Sequence, residues 1–216
     1  MILFIWDFHG VLEKGNENAV IEISNQVLKD SGFNERFTKK DNERFYGLKW
    51  YQYFEKLLPN LTKEKCIELQ AACFRYAEND LGILAKHIKP NNHVIEVLSK
   101  ISKSGSQQIV VSNTRQNDLI WFLGAIGVND FFKQDEIIGV NAHQNHNSKL
   151  DAVKYFLKYK NFEKIVVVGD FESDLAFGRE IGAINYFYKH PHRKHEPTQK
   201  ADHITNDLRD VLKELD

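Results

Sequence analysis

The sequence predicts an α/β fold: a parallel β-sheet covered by helices on both faces, with an all-helical domain inserted after the first strand. Two observations lead there. Short apolar, β-branched runs alternate with longer amphipathic stretches, the pattern of strands buried on both sides by crossover helices. One long stretch, roughly residues 15–88, breaks that rhythm and carries helical periodicity alone.

Taken in order, the strand candidates are Ile2–Trp6 and residues 108–111, 165–168 and 184–188, with a short one near Ile137. Between them lie amphipathic patterns at 92–103, 116–126, 149–159 and 174–181, and a last helical pattern closes the chain at 206–215. Within the insert the helical patterns cover 19–30, 48–58 and 62–79. Pro59 ends the second of these, and Thr62, followed by charged residues, has the chemistry of an N-cap for the third. Pro90 and the Asn91-Asn92 pair mark the return to the sheet. Residues 1–14 and 89–216 are thus expected to form the α/β core and residues 15–88 a helical cap. Such a cap would close over the strand ends and exclude water from a site there.

Length and composition suit this reading. A chain of 216 residues, 42% hydrophobic and 27% charged, can bury a full core. The net charge of −1 offers no general electrostatic attraction for nucleic acid or an anionic membrane. No apolar run approaches the ~20 residues of a bilayer span, and the opening apolar run has no positive flank and leads straight into Asp7. A cytoplasmic protein is expected, with Cys66 and Cys73 as buried, reduced thiols two helical turns apart.

Ligands of open parallel sheets bind beyond the carboxyl ends of the strands. Those ends read Asp7-Phe8-His9-Gly10-Val11-Leu12, Ser112-Asn113-Thr114 and Gly169-Asp170-Phe171-Glu172-Ser173-Asp174. A lone strand-end aspartate is often a helix cap. Several carboxylates converging on one edge, however, need a cation or shared protons to coexist, and oxygen ligands of this kind suit Mg²⁺.

In that order and context the motifs resemble those of the haloacid dehalogenase superfamily, over nearly the whole chain. Asp7 to Leu12 is similar to its first motif, Val110 to Asn113 to its second, Lys149 to its helix-opening lysine, and Gly169-Asp170-x-x-x-Asp174 to its fourth. The insert resembles the helical cap of the phosphoglycolate phosphatase-like branch. The resemblance implies a Rossmann-like core and a phosphatase acting on a small phosphorylated metabolite. Asp7 would be the nucleophile, forming an aspartyl-phosphate. Mg²⁺ would be held by Asp7, Asp170 and the His9 carbonyl, with Asp174 supporting the metal shell or orienting Lys149. Ser112, Asn113 and Lys149 would bind the transferring phosphoryl group. A plain strand-end turn at Ser112 and a solvated helix-start lysine at 149 are the simpler alternatives.

The sequence departs from the family at His9, which stands where a second aspartate usually acts as general acid and base. An imidazole can exchange protons near neutrality, but as imidazolium it would oppose a metal. Either His9 substitutes in that role, or the protein is a catalytically weak relative that binds a phosphorylated ligand. On the first reading, restoring aspartate at position 9 should keep or raise the rate. Because Asp170 and Asp174 are both present, metal-free dehalogenation is not the expected chemistry. Lys49, in the stretch 46–50, could occupy the place of a cap lysine used by phosphonatases, or simply sit on the surface; Lys49 and Trp50 are the cap's candidate substrate contacts. Most rings of the aromatic stretch 45–54 should build the cap's own core. The histidines at 190, 192 and 195 could lie on the active-site edge or in a solvated loop, and His143 and His146 carry still less signal. The motifs leave the substrate and the oligomeric state open.

Overall fold

In a computed structural model of the chain, residues 1–45, 48–140, 148–190 and 197–216 are described. They form two compact units: Met1–Lys14 with Lys89–Asp216, and Gly15–Ile88.

The first unit is built on a six-stranded sheet of order β5-β4-β1-β6-β7-β8. Its strands are β1 (Ile2–Trp6), β4 (Gln107–Ser112), β5 (Ile137–Gly139), β6 (Lys164–Gly169), β7 (Ile184–Tyr188) and β8 (His203–Thr205). Every pairing is parallel. β1 lies in the middle, with Trp6 in register with Val110 of β4 and Val168 of β6. Leu3, Phe4, Ile5 and Trp6 are all fully buried, as expected of a strand covered on both faces. On one face Leu3, Ile5, Ile109, Val111 and Val167 pack with Val153 and Phe156 of α8 (Lys149–Leu157) and Phe177 of α9 (Glu172–Glu180). Alternate residues point the other way. There the Trp6 indole donates to Gln108 Oε1 at 3.2 Å, and Gln108 Nε2 donates to the Leu98 carbonyl at 3.0 Å. A buried polar pair thus ties the sheet to α6 (Val94–Lys103) with its hydrogen bonds satisfied. α7 (Gln116–Ala125) is a further helix of this unit.

Several elements go beyond the sequence reading, among them the short helices Lys39–Phe45 and Leu81–His87 of the second unit. β8 and the short antiparallel ribbon of β2 (Glu13–Lys14) and β3 (Lys89–Pro90) were not expected. Two- and three-residue strands carry too little periodicity to declare themselves. The helical pattern read at 206–215 closes the chain as a 3₁₀ helix, Leu208–Leu215. Leu208, Val211 and Glu214 are all buried at a strict spacing of three, which a 3₁₀ helix places in one row. Glu214 is held there by the Tyr186 hydroxyl, which donates to Oε1 at 2.6 Å.

The second unit is all helical: α1 (Asn16–Asp30), α2 (Lys39–Phe45), α3 (Trp50–Leu57), α4 (Lys63–Asn79) and α5 (Leu81–His87). Thr62 caps α4, its side chain accepting from Lys65 N at 3.3 Å. Asp80 separates α4 from α5 by capping the latter, accepting from Gly82 N at 3.1 Å. The aromatic residues do build this unit's own core: Phe37 meets Phe54 at 5.5 Å between ring centroids, and Phe45 meets Tyr53 at the same distance. Cys66 and Cys73 are free and fully buried on α4. Among the described residues no helix is long and apolar enough to cross a membrane.

Burial pushes the Cys73 thiol up to about 12 and raises that of Cys66. The thiolate is the reactive form, so both should resist an aromatic disulfide reagent at pH 8 in the native protein. Both should react within the mixing time once the chain is unfolded in guanidinium. Rapid native reaction of either would show that α4 opens readily.

Candidate active site

Three neighbouring strands deliver the candidate residues to one edge. Asp7 follows β1, Ser112 ends β4, and Asp170 follows β6, so the sheet order itself brings them together. The Asp7 backbone N–H donates to the Val168 carbonyl at 2.9 Å, which carries the ladder one residue past β1. Asp174 and Lys149 come from helices. Ser148 and Asp151 form a reciprocal cap at the start of α8, with Asp151 N donating to Ser148 Oγ at 3.1 Å and Ser148 N donating to Asp151 Oδ2 at 3.3 Å. That cap sets Lys149 as the first residue of the helix. Asp174, in the first turn of α9, accepts from Phe171 N at 3.3 Å and is thereby fixed in direction.

The Lys149 ammonium donates to Asp7 Oδ1 at 2.7 Å and to Asp174 Oδ1 at 2.8 Å, with Lys149 only 8% exposed and Asp174 1%. The Phe8 backbone N–H also donates to Asp7 Oδ1, at 2.8 Å. Oδ1 therefore holds both of these bonds, while among the described residues Oδ2 receives none. Carboxylate oxygens of Asp7, Asp170 and Asp174 lie within 4.8 Å of one another. Fully ionised, three carboxylates and one ammonium leave a formal charge of −2. An all-oxygen donor set carrying that excess fits a hard divalent cation.

The titration behaviour agrees with this. Burial raises Asp7, with Lys149 opposing the shift and Asp170 adding to it. Burial likewise raises Asp174, to about 6, against Lys149 and together with Asp7. For Lys149, burial works to lower the value, but Asp174 and Asp7 outweigh it and the net shift is upward. The ammonium thus stays charged where an unpaired buried lysine would lose its proton.

His9 is half-buried at the same edge. Its Nδ1 lies 2.8 Å from Glu13 Oε1 and its Nε2 lies 3.0 Å from Thr114 Oγ1. Ser112 Oγ donates to Thr114 Oγ1 at 3.0 Å. Glu13 and Thr114 were not picked out from the sequence. Thr114 stands in a strand-end triplet that could have suggested it; Glu13 has only its spacing of four from His9 as a signal.

A family profile described as haloacid dehalogenase-like hydrolase matches residues 4–187. The chain belongs to the haloacid dehalogenase-like hydrolases. A comparison of the sequence with curated proteins gives no significant match. Solved structures resemble it at low identity. One, from Clostridium difficile and assigned as a phosphatase, has 16% identity and a TM-score of 0.83 and covers 99% of this chain and 97% of its own. Another, from Haemophilus somnus 129pt and assigned as a phosphoglycolate phosphatase, has 20% identity and a TM-score of 0.80 and covers 99% and 97%. A haloacid dehalogenase-like family hydrolase from Streptococcus pneumoniae has 17% identity and a TM-score of 0.76 and covers 99% and 98%.

In this haloacid dehalogenase-like hydrolase the other candidates are placed as follows. Asn113 is exposed beside Ser112. Lys49 and Trp50 belong to the helical unit. There Lys49 is exposed ahead of α3, and the Trp50 indole donates to Ser24 Oγ at 2.8 Å and meets Phe74 edge-on. His190 is buried, in an edge contact with Tyr188 at 5.6 Å. Tyr46, Gly47, His143, His146, His192 and His195 lie outside the described residues.

The motif glycine at 169 has a steric cause. A Cβ there would lie 2.2 Å from Asp174 Cβ and 2.5 Å from its Cγ. Gly169→Ala should therefore displace Asp174 and loosen Lys149. Overpacking of this kind typically costs about 1–3 kcal/mol, readable as a lowered thermal midpoint. An unchanged midpoint would mean that Asp174 has room to retreat.

Proposed function

We propose that this hydrolase is a Mg²⁺-dependent phosphatase that cleaves a small phosphomonoester through an aspartyl-phosphate on Asp7. The observation that carries the reading is the Lys149 ammonium bridging Asp7 and Asp174 at 2.7 and 2.8 Å, with Asp170 in the same cluster. Lysine and Phe8 both bind Oδ1 of Asp7, which leaves Oδ2 as the oxygen to attack phosphorus. The relatives assigned as phosphatases agree with this chemistry.

Asp7, Asp170 and the His9 carbonyl would hold the metal, with Asp174 committed to Lys149 and supporting the shell. Bound Mg²⁺ would offset the negative charge gathered where carboxylates and phosphate meet. Lys149 and Ser112, with Asn113 beside them, bind the oxygens of the transferring group, where charge spreads in the transition state. In the first half-reaction an O–P bond forms at Asp7 as the bond to the leaving alcohol breaks, and His9 gives that alcohol its proton. Water then attacks phosphorus and yields a proton to His9, and the Asp7–phosphorus bond breaks to release phosphate. Nε2 is the nitrogen suited to this work. Its partner is a neutral hydroxyl, which exchanges more cheaply than a hydrogen bond to a carboxylate.

One observation favours a second reading, a phosphate-ligand binding protein with little turnover: both nitrogens of His9 already hold partners. A phosphatase screen with and without Mg²⁺ separates the two. Metal-dependent hydrolysis is expected, and metal binding without hydrolysis would favour the binder. Asp7→Asn should abolish turnover with the circular dichroism spectrum unchanged, since an amide cannot act as the nucleophile; residual turnover in that variant would exclude the covalent route. His9→Ala should lower kcat by roughly 10²–10⁴-fold, the usual span of general acid–base catalysis. A fully active His9→Ala protein would assign proton transfer to another group.

A further inference from the structure

We propose that Glu13 is a positioning residue for His9: its buried carboxylate accepts the Nδ1 proton, fixes the ring tautomer and reserves Nε2 for the reaction. This rests on the reading of His9 as the group that moves protons.

Glu13 is 1% exposed, and its Oε1 stands 2.8 Å from His9 Nδ1. An ionised carboxylate only accepts hydrogen bonds, so the nitrogen facing it must carry a proton. The other nitrogen meets a different kind of partner. Thr114 Oγ1, 3.0 Å from Nε2, can donate to a bare nitrogen or accept from a protonated one. One side of the ring is therefore fixed and the other adaptable. A buried carboxylate beside Nδ1 is the means by which hydrolases of other folds hold a catalytic imidazole in one tautomer.

The rest of the surroundings restrain the ring itself. Phe8 and Phe122 meet it edge-on, with centroids at 5.0 and 5.3 Å and interplanar angles of 77° and 76°. The loop from Phe8 to Glu13 is wound so that His9 and Glu13, four apart, face each other. The Phe8 carbonyl accepts from the N–H groups of Val11, Leu12 and Glu13 at 3.3, 3.0 and 3.2 Å, and Gly10 N donates to the Glu13 carbonyl at 3.1 Å. Gly10 has φ of 85°, a conformation glycine adopts without strain. Glu13 is then pinned from behind by its pairing with Pro90 in the β2–β3 ribbon. Placing an acid in so closed a turn is costly unless it is partnered, and the His9 ring, 2.8 Å away, partners Oε1.

The test is a long-range ¹H–¹⁵N correlation spectrum of the histidine rings in the ¹⁵N-labelled full-length chain at pH 9. The His9 signals are assigned by their loss in His9→Ala. The expected result is a wild-type His9 ring protonated at Nδ1. In Glu13→Gln, whose amide can donate as well as accept, that preference should be lost. On a phosphate ester with Mg²⁺, Glu13→Gln should lower kcat within the roughly 10²–10⁴-fold acid–base range while KM changes little. Added to His9→Ala, it should cost nothing further, as for two residues acting as one unit. An Nε2-protonated wild-type ring would overturn the proposal, and so would a Glu13→Gln ring that keeps the wild-type pattern. If Glu13→Gln does not fold, the wild-type spectrum decides alone. The spectra decide equally if no ester is hydrolysed, so failure of the phosphatase reading and failure of this one are told apart.

Discussion

The ammonium of Lys149 is the contact on which the candidate site depends. Asp7 and Asp174 arrive from a strand end and a helix start, both buried and both raised by that burial. Left facing each other without a cation, they would repel or share protons. Lys149 resolves this by standing between them at 2.7 and 2.8 Å. The arrangement holds only if three backbones are set correctly: the end of β1, the capped start of α8 and the first turn of α9. Breaking a buried pair by removing one partner commonly costs about 3–5 kcal/mol, so stability and the proposed chemistry would share the same atoms.

The parallel sheet was legible because its central strands are long enough to show a continuous apolar, β-branched run. Ile2–Trp6 needs no partner sequence to be recognised as a strand covered on both faces. β8 and the β2–β3 ribbon were invisible for the opposite reason. The 3₁₀ form of the last helix was hidden by the similarity of three- and four-residue spacings in a stretch of eight residues. Asp7, Ser112, Lys149, Asp170 and Asp174 stand out as candidates in the sequence because each sits at a strand end or helix start with a motif around it. Glu13 could not. Its contact with His9 comes from a backbone turn that folds the two together, and the sequence holds no periodicity for such a turn.

Glycines show a second kind of legibility. Gly169 and Gly178 look like ordinary small residues, yet each makes room for a polar side chain. A Cβ at 178 would lie 1.8 Å from Asn185 Oδ1, as one at 169 would collide with Asp174. Both sit where α9 leans on the sheet, at the end of β6 and against β7. The helix that presents Asp174 is therefore seated by two absent side chains as much as by the apolar contacts of Leu175 and Phe177.

The turn at Gly10 also bears on which side chain position 9 can hold. With Glu13 buried 2.8 Å from position 9, an aspartate returned to that position alone would set two carboxylates against each other in a closed loop. The motif by itself recommends that replacement; the turn opposes it. Histidine at 9 and glutamate at 13 are matched as donor and acceptor. The two positions are therefore coupled, and the side chain that suits one depends on the side chain at the other.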